Sequence, residues 1–197
     1  MKPDFRDFYA MDAGALNDLR FDVGSVTDAE LQLPTTCGGW DVEDLIAHMD
    51  AEHEAILEPL TDALAPDPDV RTAFDKSATR WITAFGRHRS ATVLVPKFGT
   101  ELPVKSVLAA HFMDMLVHRL DLAHARGKIA HIADEWISVA LGVARAIPAD
   151  SPLRNPSSPA YSYSSPVSIV RDAPLLDQLV AALGRNPDER QHVSTST

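Results

Sequence analysis

The sequence predicts an all-α fold: a helical bundle with a small β-hairpin inserted before its fourth helix and short helices at the C-terminal end. Apolar residues recur at three- and four-residue steps over most of the 197 residues, which is the pattern of amphipathic helices. Two short β-rich runs, 91–96 and 101–104, lie close enough together to form a hairpin. Strands do not alternate with helices, and no glycine-rich phosphate-binding motif occurs, so nucleotide-binding α/β folds are excluded.

Capping residues and prolines set the predicted limits of the first three helices. The first helix is predicted over 5–23, where apolar residues follow helical spacing. The second begins after Asp41, a favoured N-cap, and runs to about Leu64, just before a proline-rich segment. The third covers about 70–87.

The remaining helices are delimited in the same way. The fourth begins at 105 or 106 and ends at Gly127, because glycine is common immediately after a helix. A fifth is predicted over 133–147, and a last one over 174–183.

We expect two regions along the chain. Residues 1–148 would form the helical bundle. Residues 149–197 would form a C-terminal loop, a short helix and a tail packed on the same domain, because a run rich in proline and serine opens this part.

Composition excludes several classes of function. The chain carries 18 basic and 28 acidic side chains, a formal net charge of −10, which argues against nucleic acid or an anionic membrane surface as a partner. No stretch approaches the roughly 18 apolar residues that a membrane span needs. The first residues lack the apolar region of a secretory signal, and Cys37 is the only cysteine. These features predict a cytoplasmic protein.

Ionisable residues interrupt the apolar faces of two predicted helices. His48 lies beside the stripe of the second helix, while His111, Asp114, His118 and Asp121 follow at helical steps on the fourth. Buried ionisable groups are costly unless they are paired or bind a metal. One imidazole from the second helix and the Asp114–His118 pair from the fourth would supply three ligands. This set leaves an open position, as in catalytic zinc sites.

The same residues have a plainer interpretation. His48 and His118 would then be hydrogen-bonded histidines at the edge of the core, with Asp114 bonded to His118 or to an arginine. Cys37 leaves two alternatives open as well. It is either an exposed nucleophile or a small buried residue packed near Trp40, and the sequence supplies no dependable base partner for it.

Three segments of the chain are similar to conserved blocks of one protein family. Residues 33–48, LPTTCGGWDVEDLIAH, resemble the P-T-x-C-x-G-W-x-V-x-D-L-x-x-H signature of actinobacterial DinB-like proteins, the relatives of mycothiol-dependent maleylpyruvate isomerase. Residues 114–127, DMLVHRLDLAHARG, resemble the second block, D-x-x-x-H-x-W-D-L-A-x-A-x-G. Residues 173–187 are similar to the C-terminal block of one subgroup.

The resemblance implies a DinB-like four-helix bundle with a long crossover, a divalent metal (zinc in the isomerase) and, in many members, a homodimer. The positions that match the family's ligands are His48, Asp114 and His118, so the bundle would be the metal-binding region. Asp114 stands where the isomerase has glutamate, and Leu120 where the second block has tryptophan. The isomerase also has a larger C-terminal portion, which argues against maleylpyruvate as the substrate.

The leading functional hypothesis combines the predicted metal ligands with the activity that the family resemblance implies. It is a metal-dependent transferase or isomerase that uses a low-molecular-weight thiol such as mycothiol on a small electrophilic molecule. Glu52 would act as a base or support a ligand, unless it is simply a solvated residue of the helix. Asp121, His111 and Trp40 would shape the pocket, unless they only pack or cap. Two alternatives remain: a non-catalytic metal- or ligand-binding protein, and a hydrolase that activates water at the same metal.

Overall fold

The computed structural model describes residues 4–63 and 65–187 and confirms a mostly helical fold with one small antiparallel sheet. Its regular elements, in chain order, are α1 (Phe5–Gly24), α2 (Val42–Leu57), α3 (Val70–Arg87), β1 (Thr92–Val95), β2 (Thr100–Pro103), α4 (Val104–Ala125), α5 (Asp134–Arg145) and α6 (Leu175–Ala182). Two single turns of 3-10 helix, Pro96–Phe98 and Pro152–Arg154, lie between these elements.

The first compact unit ends at Ile129 and contains α1 to α4. Helix α1 packs mainly on α4 and α3, and helix α2 packs mainly on α3 and α4. The α1–α2 and α3–α4 connections therefore pass between helices on opposite corners of the bundle. The core between the helices is built from large apolar side chains, including Trp81, Phe74, Phe85 and Phe112.

Aspartates begin the first two helices by the same mechanism. The side chain of Asp41 accepts a hydrogen bond from the backbone N–H of Asp44, and Asp44 accepts one from the backbone N–H of Asp41 in return. Asp4 and Asp7 form the same capping box at α1. Each box satisfies two backbone donors that a helix start leaves unpaired. The predicted N-cap at Asp41 is confirmed.

The predicted end of the second helix was wrong. Helix α2 ends at Leu57, well before Leu64, which itself lies outside the described residues. Pro59 explains the early end, because a proline ring within a helix clashes with the carbonyl four residues earlier and lacks a donor. The chain instead turns tightly, and the backbone N–H groups of Leu60 and Thr61 both donate to the Leu57 carbonyl.

The predicted hairpin is present between α3 and α4. Strands β1 and β2 are antiparallel, with Thr92 opposite Pro103 and Val95 opposite Thr100. The loop closes at Gly99, whose φ of 62° favours glycine. Helix α4 follows β2 without a linker, so the hairpin determines where that helix begins.

The second compact unit begins at Ala130 and contains α5 and α6, which pack on each other. Arg154 stabilises the long connection between α5 and α6. Its two Nη atoms donate to the carbonyls of Ser164, in that connection, and Ala182, at the end of α6, at 2.7 and 2.9 Å. Helix α5 thus groups with the C-terminal part. The expected division at residue 148 stays a prediction. The predicted tail at 188–197 lies outside the described residues.

Among residues 4–63 and 65–187, no helix combines the length and the apolar character needed to cross a membrane.

A chain of buried polar side chains joins all four helices of the bundle. Nδ1 of His111 lies 2.5 Å from Oδ1 of Asp12, and its Nε2 lies 2.8 Å from Nε2 of His53. Nδ1 of His53 lies 3.0 Å from Oγ of Ser77. The indole N–H of Trp81 donates to the other oxygen of Asp12 at 2.8 Å. Such a network satisfies polar groups that would otherwise be costly to bury.

Candidate metal centre

Hydrogen bonds within the connector between α1 and α2 define its conformation. The backbone N–H of Trp40 donates to the carbonyl of Cys37, closing a turn in which Gly39 has a φ of 85°. A glycine is favoured at such a position because other residues are strained there. The N–H and Oγ of Thr35 both donate to the Trp40 carbonyl at 2.9 Å. The turn thereby places Thr36 and Cys37 against Asp121 of α4, and Trp40 against His48 of α2.

The predicted pair on α4 is in contact. Nε2 of His118 lies 3.4 Å from Oδ2 of Asp114, one helical turn earlier. When His118 is protonated, this contact is a long N–H···O hydrogen bond. The separation is also close to the distance of about 3.4 Å between two atoms that each lie about 2.1 Å from one tetrahedral ion. The Asp114 side chain is 23% exposed, so the site is reachable from solvent.

His48 faces the same pair from α2. Its ring is edge-on to His118, with ring centroids 5.5 Å apart and planes at 83°. Burial lowers the pKa of His48, and the charges of His118 and Lys97 lower it further, whereas Asp114 and Glu52 act in the opposite direction. A lowered pKa keeps the imidazole neutral, which is the form that can bind a metal.

The other nitrogen of His118 is held by a carboxylate. Nδ1 of His118 lies 3.3 Å from Oδ2 of Asp121, which is buried. Asp121 also accepts hydrogen bonds from the Thr36 hydroxyl at 2.8 Å and from the Cys37 thiol at 3.4 Å. The first sequence block and the second block therefore meet at Asp121.

The surroundings of His118 favour a positive charge there. Burial by itself lowers the pKa of His118. The carboxylates of Asp114 and Asp121, with the Cys37 side chain, outweigh burial and raise this pKa well above its usual value. Carboxylates that stabilise a proton on a buried imidazole also stabilise a divalent cation in its place.

On the Nε2 side of His118, the predicted set of two imidazoles and one carboxylate is a combination that zinc accepts. The 3.4 Å between Asp114 Oδ2 and His118 Nε2 is compatible with a shared ion. Among the described residues, the three potential ligands whose atoms all lie within 4.8 Å of one another are instead Cys37, His118 and Asp121. In that group the Cys37 thiol and Nδ1 of His118 both bond to Asp121. The predicted set uses the opposite nitrogen, Nε2, which faces Asp114; the assignment of His48, Asp114 and His118 as ligands stays a prediction.

Glu52 and Trp40 lie beside His48. Oε1 of Glu52 is 3.4 Å from Nζ of Lys97, in the turn of the hairpin, and the Glu52 side chain is about half-exposed. The Trp40 ring lies over His48, with ring centroids 4.7 Å apart. Both side chains are therefore placed to line the approach to the candidate site.

Two sets of side-chain contacts near the candidate site were not predicted from the sequence. His111 was expected near Asp114 and His118, but both of its ring nitrogens bond elsewhere, to Asp12 and His53. A sequence signal for these partners does exist. Asp12 occupies an apolar position of α1, four residues from both Phe8 and Leu16, and His53 interrupts the stripe of α2.

The contacts of Thr36 and Cys37 with Asp121 were also not predicted. They join residues 84 and 85 positions apart, and no spacing within one helix or loop reports such a pair.

Comparisons with known proteins agree with this architecture. Residues 13–95 match the family model described as the mycothiol maleylpyruvate isomerase N-terminal domain. Two uncharacterized proteins from two strains of Mycobacterium tuberculosis are each 29% identical to the chain over 168 residues, covering 83% of this chain and 89% of theirs.

Solved structures of a mycothiol-dependent maleylpyruvate isomerase share the fold. The isomerase superimposes with a TM-score of 0.57 at 17% sequence identity, and a histidine-to-alanine mutant of it with 0.58 at 16%. Each match covers 73% of this chain and 69% of the isomerase chain. The sequence-based resemblance is confirmed.

Proposed function

We propose that this chain, which belongs to the DinB-like family related to mycothiol-dependent maleylpyruvate isomerase, is a metal-dependent transferase or isomerase that uses a low-molecular-weight thiol. Its substrate would be a small electrophilic molecule, and its cosubstrate would be mycothiol or a similar thiol. The observation that carries the proposal is the convergence of His48 from α2 with the Asp114–His118 pair of α4, at 3.4 Å between Asp114 Oδ2 and His118 Nε2.

His48, Asp114 and His118 would hold the ion, which we expect to be Zn²⁺. A zinc ion bound there supplies positive charge that lowers the pKa of a cosubstrate thiol and so makes a thiolate available at neutral pH. The aspartate contributes one negative charge to the ligand set, and the two imidazoles contribute none. Three protein ligands leave room for an exogenous group.

The neighbouring side chains have distinct tasks in this proposal. Trp40 packs against His48, with ring centroids 4.7 Å apart, and would shield that side of the imidazole from bulk water. Glu52, one helical turn after His48, would accept the proton released by the thiol, because its carboxylate lies next to the site and is partly open to solvent. Lys97 contacts Glu52 and holds it near the hairpin.

The first test is the metal content of the purified protein, measured by elemental analysis after purification without chelators. We expect close to one zinc per chain in the native protein and a large loss of zinc in His48→Ala and His118→Ala. A native protein without bound metal would contradict the proposal. Equal zinc in the native and substituted proteins would place the ion elsewhere.

The second test concerns the thiol. Loss of an electrophilic substrate, monitored over a panel of activated alkenes and epoxides, should require both mycothiol and zinc. Turnover by the zinc-loaded protein without any thiol would instead favour the hydrolase alternative, and stoichiometric zinc without turnover would favour the non-catalytic one. Glu52→Gln should lower turnover while zinc content is unchanged, whereas Glu43→Gln, on the same helix, should affect neither.

A further inference from the structure

We infer that Asp121 is the positioning residue of this centre: its buried carboxylate holds the Nδ1–H of His118 and so directs Nε2 toward Asp114 and His48. The inference rests on the proposed function, because it concerns the orientation of a proposed metal ligand. It adds that Thr36 and Cys37, in the connector before α2, act on the same ligand through Asp121.

Asp121 is held from three sides. Oδ1 accepts the hydroxyl proton of Thr36 at 2.8 Å, and Oδ2 faces both the Cys37 thiol at 3.4 Å and Nδ1 of His118 at 3.3 Å. Only 3% of the residue is exposed, so these three donors replace the water that an aspartate normally binds. A buried carboxylate with three donors has a fixed orientation, and it can fix the orientation of a partner in turn.

The contact with Asp121 requires a hydrogen on Nδ1 of His118. An ionised carboxylate only accepts hydrogen bonds, so Nδ1 of His118 must carry a hydrogen in order to bond to Asp121. The nitrogen that remains for a metal is Nε2, and it faces Asp114. Histidines that bind metals usually donate their other N–H to a carboxylate, which orients the ring and strengthens the ligand. Asp121 meets this requirement.

The orientation of His118 depends on residues of the first sequence block, 33–48, through the connector before α2. Thr36 and Cys37 belong to the turn closed at Trp40, and Trp40 itself lies on His48. The block that contains the proposed ligand His48 therefore also holds the Asp121 carboxylate, which contacts the proposed ligand His118. A competing arrangement, with Cys37, His118 Nδ1 and Asp121 themselves binding the ion, uses the opposite nitrogen of the same ring.

Nuclear magnetic resonance of the full chain tests the positioning directly. We expect a slowly exchanging Nδ1 proton on His118 in the native protein, with and without zinc, which is lost in Asp121→Ala. The matched control is Asp18→Asn in α1. This substitution removes an ion pair to Arg119, the α4 residue next to His118, but does not change any contact of His118 itself. An Nδ1 signal unchanged in Asp121→Ala, or a zinc-loaded protein with its proton on Nε2, would overturn the inference.

Zinc affinity provides a second readout, measured by competition with a chromogenic chelator. Asp121→Ala should weaken zinc binding about 10–100-fold, as loss of an outer-shell partner does, with a smaller loss in Thr36→Val and none in Asp18→Asn. Asp121→Asn should recover part of the affinity, because its amide oxygen still accepts one hydrogen bond. Circular dichroism confirms that each variant is folded. Full affinity in both folded Asp121 variants would contradict the inference.

Cobalt separates the two ligand arrangements. Co²⁺ bound at His48, Asp114 and His118 should give visible bands without thiolate charge-transfer absorption in the near ultraviolet, and Cys37→Ser should leave the spectrum unchanged. A thiolate band that disappears in Cys37→Ser would make Cys37 a ligand and overturn the inference. If instead the native protein binds no metal, the proposed function fails, while the Nδ1 signal still tests the role of Asp121.

Discussion

Trp40 lies over the imidazole of His48, with ring centroids 4.7 Å apart and ring planes tilted by 48°. An indole so close to a proposed ligand should report metal binding. We predict that Co²⁺, added to the full chain, quenches part of the tryptophan fluorescence and that Trp40→Phe removes most of this quenching. Equilibrium dialysis should show that Trp40→Phe still binds Co²⁺. Quenching of the same size in Trp40→Phe would mean that the ion binds away from His48.

The conformation of Gly39 predicts a difference between two adjacent glycines. Gly39 has a φ of 85°, whereas Gly38 has no positive φ, and an added Cβ would meet no atom within 4 Å at either position. Gly39→Ala should therefore lower the free energy of unfolding by about 1–2 kcal/mol through backbone strain alone. Gly38→Ala should stay within about 0.5 kcal/mol of the native protein. Urea denaturation measures both values, and equal effects would exclude backbone strain as the cause.

The buried hydrogen bond from Trp81 to Asp12 predicts that its removal lowers the free energy of unfolding. Trp81→Phe removes the indole donor at 2.8 Å but keeps an aromatic ring beside His111. Because the Asp12 oxygen is then buried with one partner fewer, the free energy of unfolding should fall by about 1–3 kcal/mol. Trp136→Phe, at a half-buried position of α5, should cost less in the same denaturation experiment. A neutral Trp81→Phe would show that the Asp12 oxygen finds another partner.

The contact between Glu30 and Arg126 predicts a specific loss of stability in acid. Hydrogen bonds from Arg126, with a further one from the backbone N–H of Thr27, lower the pKa of Glu30 to about 2 from 4.5. Because the folded-state pKa lies below the unfolded one, the stabilisation is complete above about pH 4.5 and is lost as the pH falls toward 2.

Thermal unfolding from pH 5 down to pH 2 measures this effect. Glu30→Gln should be less stable than the native protein at pH 5, and the difference should shrink as the pH falls. Glu58→Gln, at an exposed position after α2, should follow the native curve. A constant difference between Glu30→Gln and the native protein at all pH values would rule out ionisation of Glu30 as its source.

Local signals in the sequence predicted most of the fold. Asp41 is followed three residues later by Asp44, and this pairing is enough to begin α2 where expected. The two β-rich runs around Gly99 formed the hairpin because the glycine supplies the conformation that its loop needs. The apolar spacing that continues to Leu60 predicts a longer α2, but Pro59 lacks a backbone donor and ends the helix at Leu57.

The candidate site divides in the same way. His48, Asp114 and His118 could be grouped because helical spacing and the family blocks both point to them. The contacts of Asp121 with Thr36 and Cys37 depend on how the connector folds across α4, and helical periodicity carries no information about that. Likewise, His111 shares a helix with Asp114, yet its partners Asp12 and His53 come from two other helices.

Anomalous X-ray scattering at the zinc edge, from crystals of the zinc-loaded full chain, tests the central claim most directly. We predict one ion within about 2.0–2.2 Å of His48, Asp114 Oδ2 and His118 Nε2, with Nδ1 of His118 still bonded to Asp121. An ion bound instead by Cys37, Asp121 and Nδ1 of His118 would contradict the proposed centre, as would a zinc-soaked crystal in which these side chains bind no ion.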